Sequence, residues 1–456
     1  MKLRLLTGLC AAALLAVAPV GVFAQDKASP ADSQAQPAAV TADDKALIDD
    51  LTKKAEAGDV KAMIDLGNRY YEGEGVEEDG DLAAKWLKKA ADTGDAEAQA
   101  DYGDLFLFGD DADQDMALAW YRKSAAQNSP NGQNSVGWMY EHGYSVTRDY
   151  AEAAKWYRLA ADQHYVPALN HLADLYYQGR GVAKDYAAAA KLYQESADLG
   201  NGYGWASMGD LYENGKGVPK DPAKAVDDYR KGAELGNCTG LYAMGRIYEN
   251  GDDGIKADND QAFAWYMKAA DKTCPYGQLA AGRFYGEGIG RTVDAGEAFK
   301  YYALAAIQGN PLGQLKLGSS YYYGDFLPDD DEQALKWYTK AAAQGQMRAQ
   351  YYLGYFAMKG IAMKADYAQA LSWFQKSAAQ GDAWAQYQLG VMYENAMGTP
   401  QDRATALGWY MLGAAQDDDD CKKAVERLKK TVGFGDVGKA QAMVKAFNAT
   451  EEPDDK

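Results

Sequence analysis

The residues able to make and break bonds are few in this chain, and they are scattered. Three histidines occur among 456 residues, His142, His164 and His171. No H-E-x-x-H or C-x-x-C spacing is present, so two recurring metal signatures are missing. His164 and His171 fall at ordinary helix-start and surface positions and are not read as ligands. Asp111, Asp113 and Asp115 imitate the opening of a calcium loop. Met116 replaces its glycine, however, and Arg122 stands where a bidentate acid is needed. These residues read as a turn and a helix cap. No S-x-x-K accompanies S-D-N and K-T-G, so a serine β-lactamase is not supported. No nucleophile–base constellation emerges. No catalytic residue, metal ligand or cofactor is therefore assigned, and a hydrolase is the least favoured class.

The residues that do recur point to structure. Ten times an aspartate sits seven residues before a position that is usually tryptophan. The pairs are Asp79/Trp86, Asp113/Trp120, Asp149/Trp156, Asp185/Leu192, Asp221/Asp228, Asp258/Trp265, Asp294/Tyr301, Asp330/Trp337, Asp366/Trp373 and Asp402/Trp409. Successive units are 34 to 37 residues apart, which is the period of a helical solenoid. Each unit reads as two helices, A and B. In the fifth, helix A runs from about Tyr203 to Asn214, and Gly215 to Pro219 forms a turn. Asp221 is the expected N-cap of helix B, with Pro222 at its first position and Gly236 ending it.

A second marker is a small residue in the middle of helix A: Gly67, Gly103, Gly137, Ala173, Gly209, Gly245, Gly282, Gly318, Gly354 and Gly390. Glycine there costs about 1 kcal/mol against alanine, so its recurrence argues for close helix contact. The aromatic three residues later, such as Tyr140 or Tyr212, is expected to fill the space beside it.

The pattern A-x-x-x-L-G-x-x-Y-x-x-G-x-G-V-x-x-D-x-x-x-A-x-x-W-Y-x-x-A-A-x-x-G resembles the Sel1-like repeat, a relative of the tetratricopeptide repeat. Residues Ala62 to Gly94 and Asn134 to His164 show it well, and the resemblance spans about Lys53 to Ala415. It implies an all-α, right-handed α-solenoid of about ten helix–turn–helix repeats, and a role as adaptor or scaffold. Departures stand at Asp228 and Ala357, where looser packing is expected. The resemblance also implies which residues of helix A face a concave groove: those six and three before the small residue, and one, four and five after it. These candidate partner-binding residues include Trp138, Asp174, Tyr203 and Asp210 in the middle repeats, alongside Glu141, Tyr177 and Glu213. Later repeats contribute Tyr242, Tyr276, Tyr322, Tyr323, Tyr351, Tyr355, Trp384 and Tyr387. Aromatics not needed by the core suit a binding surface, because they offer large contact area at little entropy cost.

The termini and charge complete the outline. Residues 1–24 read as a secretory signal, with Lys2 and Arg4, an apolar stretch from Leu9 to Ala18, and a small-residue cleavage site before Gln25. Residues 25–40 read as a disordered linker, 41–57 as an N-terminal capping helix and 58–416 as the repeats. Residues 417–449 read as C-terminal capping helices, split by Gly433 and Gly435, and 450–456 as a disordered tail. Removing Lys2 and Arg4 takes the net charge from −19 to −21, which repels phosphate backbones and argues against nucleic acid. No integral membrane segment is expected in the mature chain. Cys238 and Cys274 occupy nearly equivalent places at the starts of neighbouring A helices. Helix spacing of roughly 8–10 Å leaves two readings open, a disulfide or a pair of inert small hydrophobes. Cys421 would stay unpaired. The sequence thus predicts a periplasmic or secreted scaffold that binds a protein or extended peptide. A carbohydrate-binding protein of cell-wall or exopolysaccharide assembly is the alternative, which adds polysaccharide as a second partner class.

Overall fold

The computed structural model describes residues 41–107, 112–252 and 254–451. Every regular element among them is a helix. The chain divides into two compact units, the first ending at Gly240 and the second beginning at Leu241. In the first, α1 (Ala42–Glu56) precedes five A/B pairs. These are α2 (Val60–Glu72) with α3 (Gly80–Ala91), α4 (Ala96–Asp104) with α5 (Gln114–Ala126), and α6 (Pro130–His142) with α7 (Tyr150–Ala161). The pairs α8 (Val166–Gln178) with α9 (Tyr186–Asp198) and α10 (Gly202–Asn214) with α11 (Pro222–Glu234) follow. The unit boundary falls inside α12 (Cys238–Asn250), and α13 (Asn259–Asp271) comes next. The second unit continues with α14 (Pro275–Glu287) and α15 (Ala295–Ile307), then α16 (Pro311–Tyr323) and α17 (Asp331–Ala343). It closes with α18 (Met347–Lys359) and α19 (Tyr367–Ala378), α20 (Ala383–Glu394) and α21 (Arg403–Ala415), and finally α22 (Asp419–Lys429) and α23 (Phe434–Glu451). No described helix is long and apolar enough to cross a membrane. The signal and linker segments, 1–40, lie outside the described residues, as do Asp111 and residues 452–456.

Each of the ten recurring aspartates caps helix B of its repeat. Asp221 accepts the Lys224 N–H at 3.1 Å and Asp366 that of Gln369 at 2.9 Å. This satisfies donors that the first turn would otherwise leave unpaired, and it places a carboxylate at the positive end of the helix dipole. Each cap is anchored in turn by its own N–H, which donates to the carbonyl three residues after the small residue of helix A. Asp149 reaches Tyr140 at 2.9 Å and Asp402 reaches Tyr393 at 2.9 Å. Backbone alone makes this bond, so Asp366 makes it to Ala357 as well, at 2.8 Å. Asp113 caps α5 through the Met116 N–H, and Asp418 caps α22 through that of Cys421.

The glycine of helix A is a contact point, but its partner differs from expectation. The ring seated on it is the aromatic one residue after the tryptophan position in helix B. A Cβ on Gly245 would lie 2.4 Å from the Tyr266 ring, and one on Gly103 2.7 Å from Tyr121. Tyr121, Tyr157, Tyr193, Tyr266, Tyr338 and Tyr410 are among the largest fully buried side chains. Leu87 plays this part in the first repeat. The aromatic three residues after the glycine, Tyr140 or Tyr212, is only half buried.

The tryptophan position is half buried in most repeats, Trp86 and Tyr301 being buried, and a lysine three residues on often lies over its ring. Lys123 stands 3.4 Å from Trp120 and Lys268 3.8 Å from Trp265. The two departures are not loose. Asp228 is buried and ion-paired with Lys231 at 3.2 Å, and Ala357 is fully buried beside Met358 and Phe374.

Repeats join through close backbone contact. Gly217 has φ +71°, and a Cβ there would lie 2.3 Å from the backbone of Tyr186, so both conformation and space demand glycine. Buried glutamines each accept from an exposed glutamine 30 residues on, a polar seam absent from the expectations: Gln163 donates to Gln133, Gln344 to Gln314 and Gln380 to Gln350, at 2.8–2.9 Å. Among the C-terminal helices, Gly435 lies inside α23 rather than in the break before it.

Candidate functional site

Seating Tyr338 on Gly318 and Phe374 on Gly354 fixes how each A helix lies against its B helix. The A-helix positions expected to face the groove then carry a run of rings along α16, α18 and α20. The Tyr323 and Tyr352 hydroxyls are 3.0 Å apart. Tyr322 lies edge-on to Tyr323 at 4.9 Å and near Phe356 at 5.2 Å. Tyr351 stands 6.4 Å from Tyr355 and 5.6 Å from Trp384, in the latter case edge to face. Tyr323 and Trp384 are 53% and 48% exposed, whereas Tyr322, at 9%, is a supporting core residue. Arg348 lies with its guanidinium carbon 3.8 Å from the Trp384 ring and a nitrogen 3.4 Å from Asp382. Asp382 itself caps α20, accepting from the Trp384 and Ala385 N–H groups at 2.9 and 3.3 Å. Its carboxyl is raised above the usual range by burial, against the pull of Arg348.

The structure does not gather every candidate there. Tyr387 packs against Tyr410 at 5.7 Å, beside the Glu394–Arg427 pair. Tyr242 and Tyr276 form a separate cluster, 5.8 Å apart, next to Arg283 and Glu249. Trp138 is stacked on His142 at 4.2 Å and near Tyr144 at 5.2 Å, half buried between two core clusters.

The acids of the middle repeats correct the sequence reading most plainly. Asp174 is 8% exposed, and it accepts hydrogen bonds from the Tyr193 and Tyr203 hydroxyls. Burial drives its carboxyl from 3.8 up to about 7. Asp210 accepts from Tyr177 at 3.0 Å. Glu141 and Glu213 accept from the ring-on-glycine tyrosines Tyr157 and Tyr229, at 2.6 and 2.7 Å. These carboxylates satisfy buried phenols, which would otherwise be costly to bury. The spacing of 16 residues from Glu141 to Tyr157 and from Glu213 to Tyr229 was the available signal.

Among the described residues no group of three or more His, Cys, Asp or Glu side chains is placed to hold a metal ion. His142 contacts the Trp138 carbonyl, and His171 the Asn134 side chain, each at 3.0 Å. Cys238 and Cys274 are disulfide-bonded, while Cys421 is free and buried.

The family model described as Sel1 repeat matches ten times, over residues 60–95, 96–129, 130–165, 166–201, 206–237, 239–274, 275–310, 311–346, 348–382 and 385–418. No curated protein matches the chain. Among solved structures, c5321, a protective antigen present in uropathogenic Escherichia coli strains and displaying an SLR fold, is 32% identical. The match covers 88% of this chain and 86% of that one, with a TM-score of 0.57. A Sel1 repeat protein from Oxalobacter formigenes is 28% identical over 76% of this chain and 90% of its own, with a TM-score of 0.46. The immunity protein Pa5087 from Pseudomonas aeruginosa is 21% identical over 45% and 81%, with a TM-score of 0.33. Ten tandem matches, over more than half of the chain, place it in the Sel1 repeat family, whose all-α repeat scaffold is of a kind typical of protein–protein interaction.

Proposed function

We propose that this chain is an exported, non-enzymatic scaffold that binds a protein or extended peptide on the ring-lined face of α16, α18 and α20. The observation that carries the reading is the pair of half-exposed rings, Tyr323 and Trp384, joined by Tyr351, Tyr352 and Tyr355. Tyr323 and Trp384 take no part in the glycine contacts, which Tyr338 and Phe374 make, while Tyr351, Tyr352 and Tyr355 link them to the core against which they pack. Rigid aromatic rings of this kind are the usual anchors of an interface. Export rests on the basic, apolar and small-residue order of the first 24 residues. A photo-crosslinking residue placed at Trp384 tests the site, with the same residue at Tyr367, exposed at the start of α19, as control. A single product formed only from position 384 supports the proposal. Equal products from both positions, or none from 384, count against it.

A further inference from the structure

The ring-lined face differs in charge from the chain that carries it. The whole sequence has a net charge of −19. Yet α16, α18 and α20 together hold Lys316, Arg348 and Lys359 against a single acid, Glu394. Glu394 is engaged by Arg427 and by the Tyr410 hydroxyl. Asp382, at the start of α20, has a fully buried side chain and is already paired with Arg348. Lys359 lies 6.0 Å from the Tyr355 ring and Lys316 5.9 Å from that of Tyr302, and neither joins an ion pair among the described residues. The contrast with α6, α8 and α10 is direct: those helices carry Glu141, Asp174, Asp210 and Glu213 and no lysine or arginine. Of the acids near the face, Asp325 and Asp329 sit in the turn after α16, Asp330 is occupied in capping α17 and Asp331 is the first residue of that helix.

We infer that this face selects an acidic, extended peptide segment. The inference rests on the binding site proposed above and names the class of its occupant. Cations beside desolvated rings attract carboxylates more strongly than the same charges in open water, and the complementarity fixes which chains dock. Arg348 is held in place by Trp384 and Asp382, so little freedom is lost when a further carboxylate approaches it. A polyanionic sugar would answer the same charges. The most exposed site favours a peptide: the Arg348 guanidinium lies 3.8 Å from the centre of the Trp384 ring and covers a face on which a pyranose would stack.

The test uses the full chain and two labelled twelve-residue peptides that share Phe and Gly positions, one with glutamate and one with lysine at every remaining position. Fluorescence anisotropy reads binding at ~50 mM salt and again at ~0.3 M, where surface charge is screened. The glutamate peptide is expected to bind about tenfold tighter than the lysine peptide, with the gap shrinking at high salt. The bulk charge of the chain pulls the opposite way, so this preference cannot arise from nonspecific attraction. Lys316→Gln with Lys359→Gln, which leaves the Arg348–Asp382 pair intact, should remove most of the gap. Equal or tighter binding of the lysine peptide, binding of neither peptide, or a gap unchanged in that variant overturns the inference. Binding of polygalacturonate by a chain that ignores both peptides also overturns it, in favour of a sugar. Trp384→Ala with Tyr355→Ala separates the two levels: if both peptides bind equally and both lose affinity, the site stands and the acidic preference falls. If that variant binds as the wild type does, both fall.

Discussion

Replacing Asp174 by asparagine should flatten the pH dependence of stability around repeats four and five. Its carboxyl sits between the Tyr193 and Tyr203 hydroxyls and tethers α8, α9 and the next A helix, α10. Burial raises it from 3.8 to about 7; the two hydroxyls pull it down, and the Glu141 charge pushes it up. Between those values the folded chain keeps a proton that the unfolded chain has released. Stability from this group is therefore greatest at low pH and falls as pH rises through 4 to 7, then levels off. A rise of about 3 units corresponds to about 4 kcal/mol in total, of which more than half is lost between about pH 5 and about pH 8. Glu394, lowered chiefly by its bond to Arg427, and Asp402, lowered by the Thr405 N–H, act in the opposite sense, losing stability as pH falls. Those terms are common to wild type and variant and cancel in the difference. Asparagine keeps a carbonyl acceptor for the tyrosines without titrating. Urea unfolding followed by aromatic fluorescence at the two pH values should show the variant gaining on the wild type by about 2 to 3 kcal/mol in going from about pH 5 to about pH 8. A difference between the two proteins that does not change with pH would refute the reasoning.

Three further outcomes are expected. Asp221→Ala and Asp366→Ala should each cost about 1 kcal/mol in urea melts by removing a helix cap, with no change in partner affinity. Gly245→Ala should cost about 2 kcal/mol, because the added Cβ would lie 2.4 Å from the fully buried Tyr266 ring. Exported protein should begin near Gln25 on N-terminal sequencing, and recovery of chain that retains Met1 from the same fraction would count against export.

What the sequence made legible was local. A cap needs only an aspartate at a helix start, so all ten B-helix caps could be read from spacing, and Pro222 after Asp221 strengthened one of them. The small residue in helix A was equally plain, because glycine in mid-helix is costly unless space demands it. Its partner was not legible. Whether Tyr140 or Tyr157 covers Gly137 depends on how A and B rotate against each other, and the structure selects Tyr157. The same ignorance misled the reading of the acids. Asp174 and Asp210 stand where groove positions were expected, but tyrosine hydroxyls from neighbouring helices reach them first. The paired glutamines are hard to read from sequence, because a polar residue in an alanine-rich helix looks solvent-facing. Only the recurrence 30 residues apart, Gln314 with Gln344 and Gln350 with Gln380, signalled a buried seam. The rings of α16, α18 and α20 were visible as residues. That Trp384, Arg348 and Asp382 form one packed group was not, since Arg348 lies in α18 and Asp382 caps α20, 34 residues on.

The central claim is that the rings of repeats eight to ten hold the partner. Titration calorimetry of the protein crosslinked at position 384, once purified, against wild type and Trp384→Ala with Tyr355→Ala tests it most directly. Truncating exposed anchor rings typically costs about 2 kcal/mol or more, so the double variant should bind tenfold or more weakly, at about 1.4 kcal/mol per tenfold. Its circular dichroism should stay helical, because Trp384 is half exposed and the glycine contacts are untouched, while loss of the Tyr355 ring, packed against two core clusters, lowers the melting point only modestly. Unchanged affinity in a folded double variant would contradict the account.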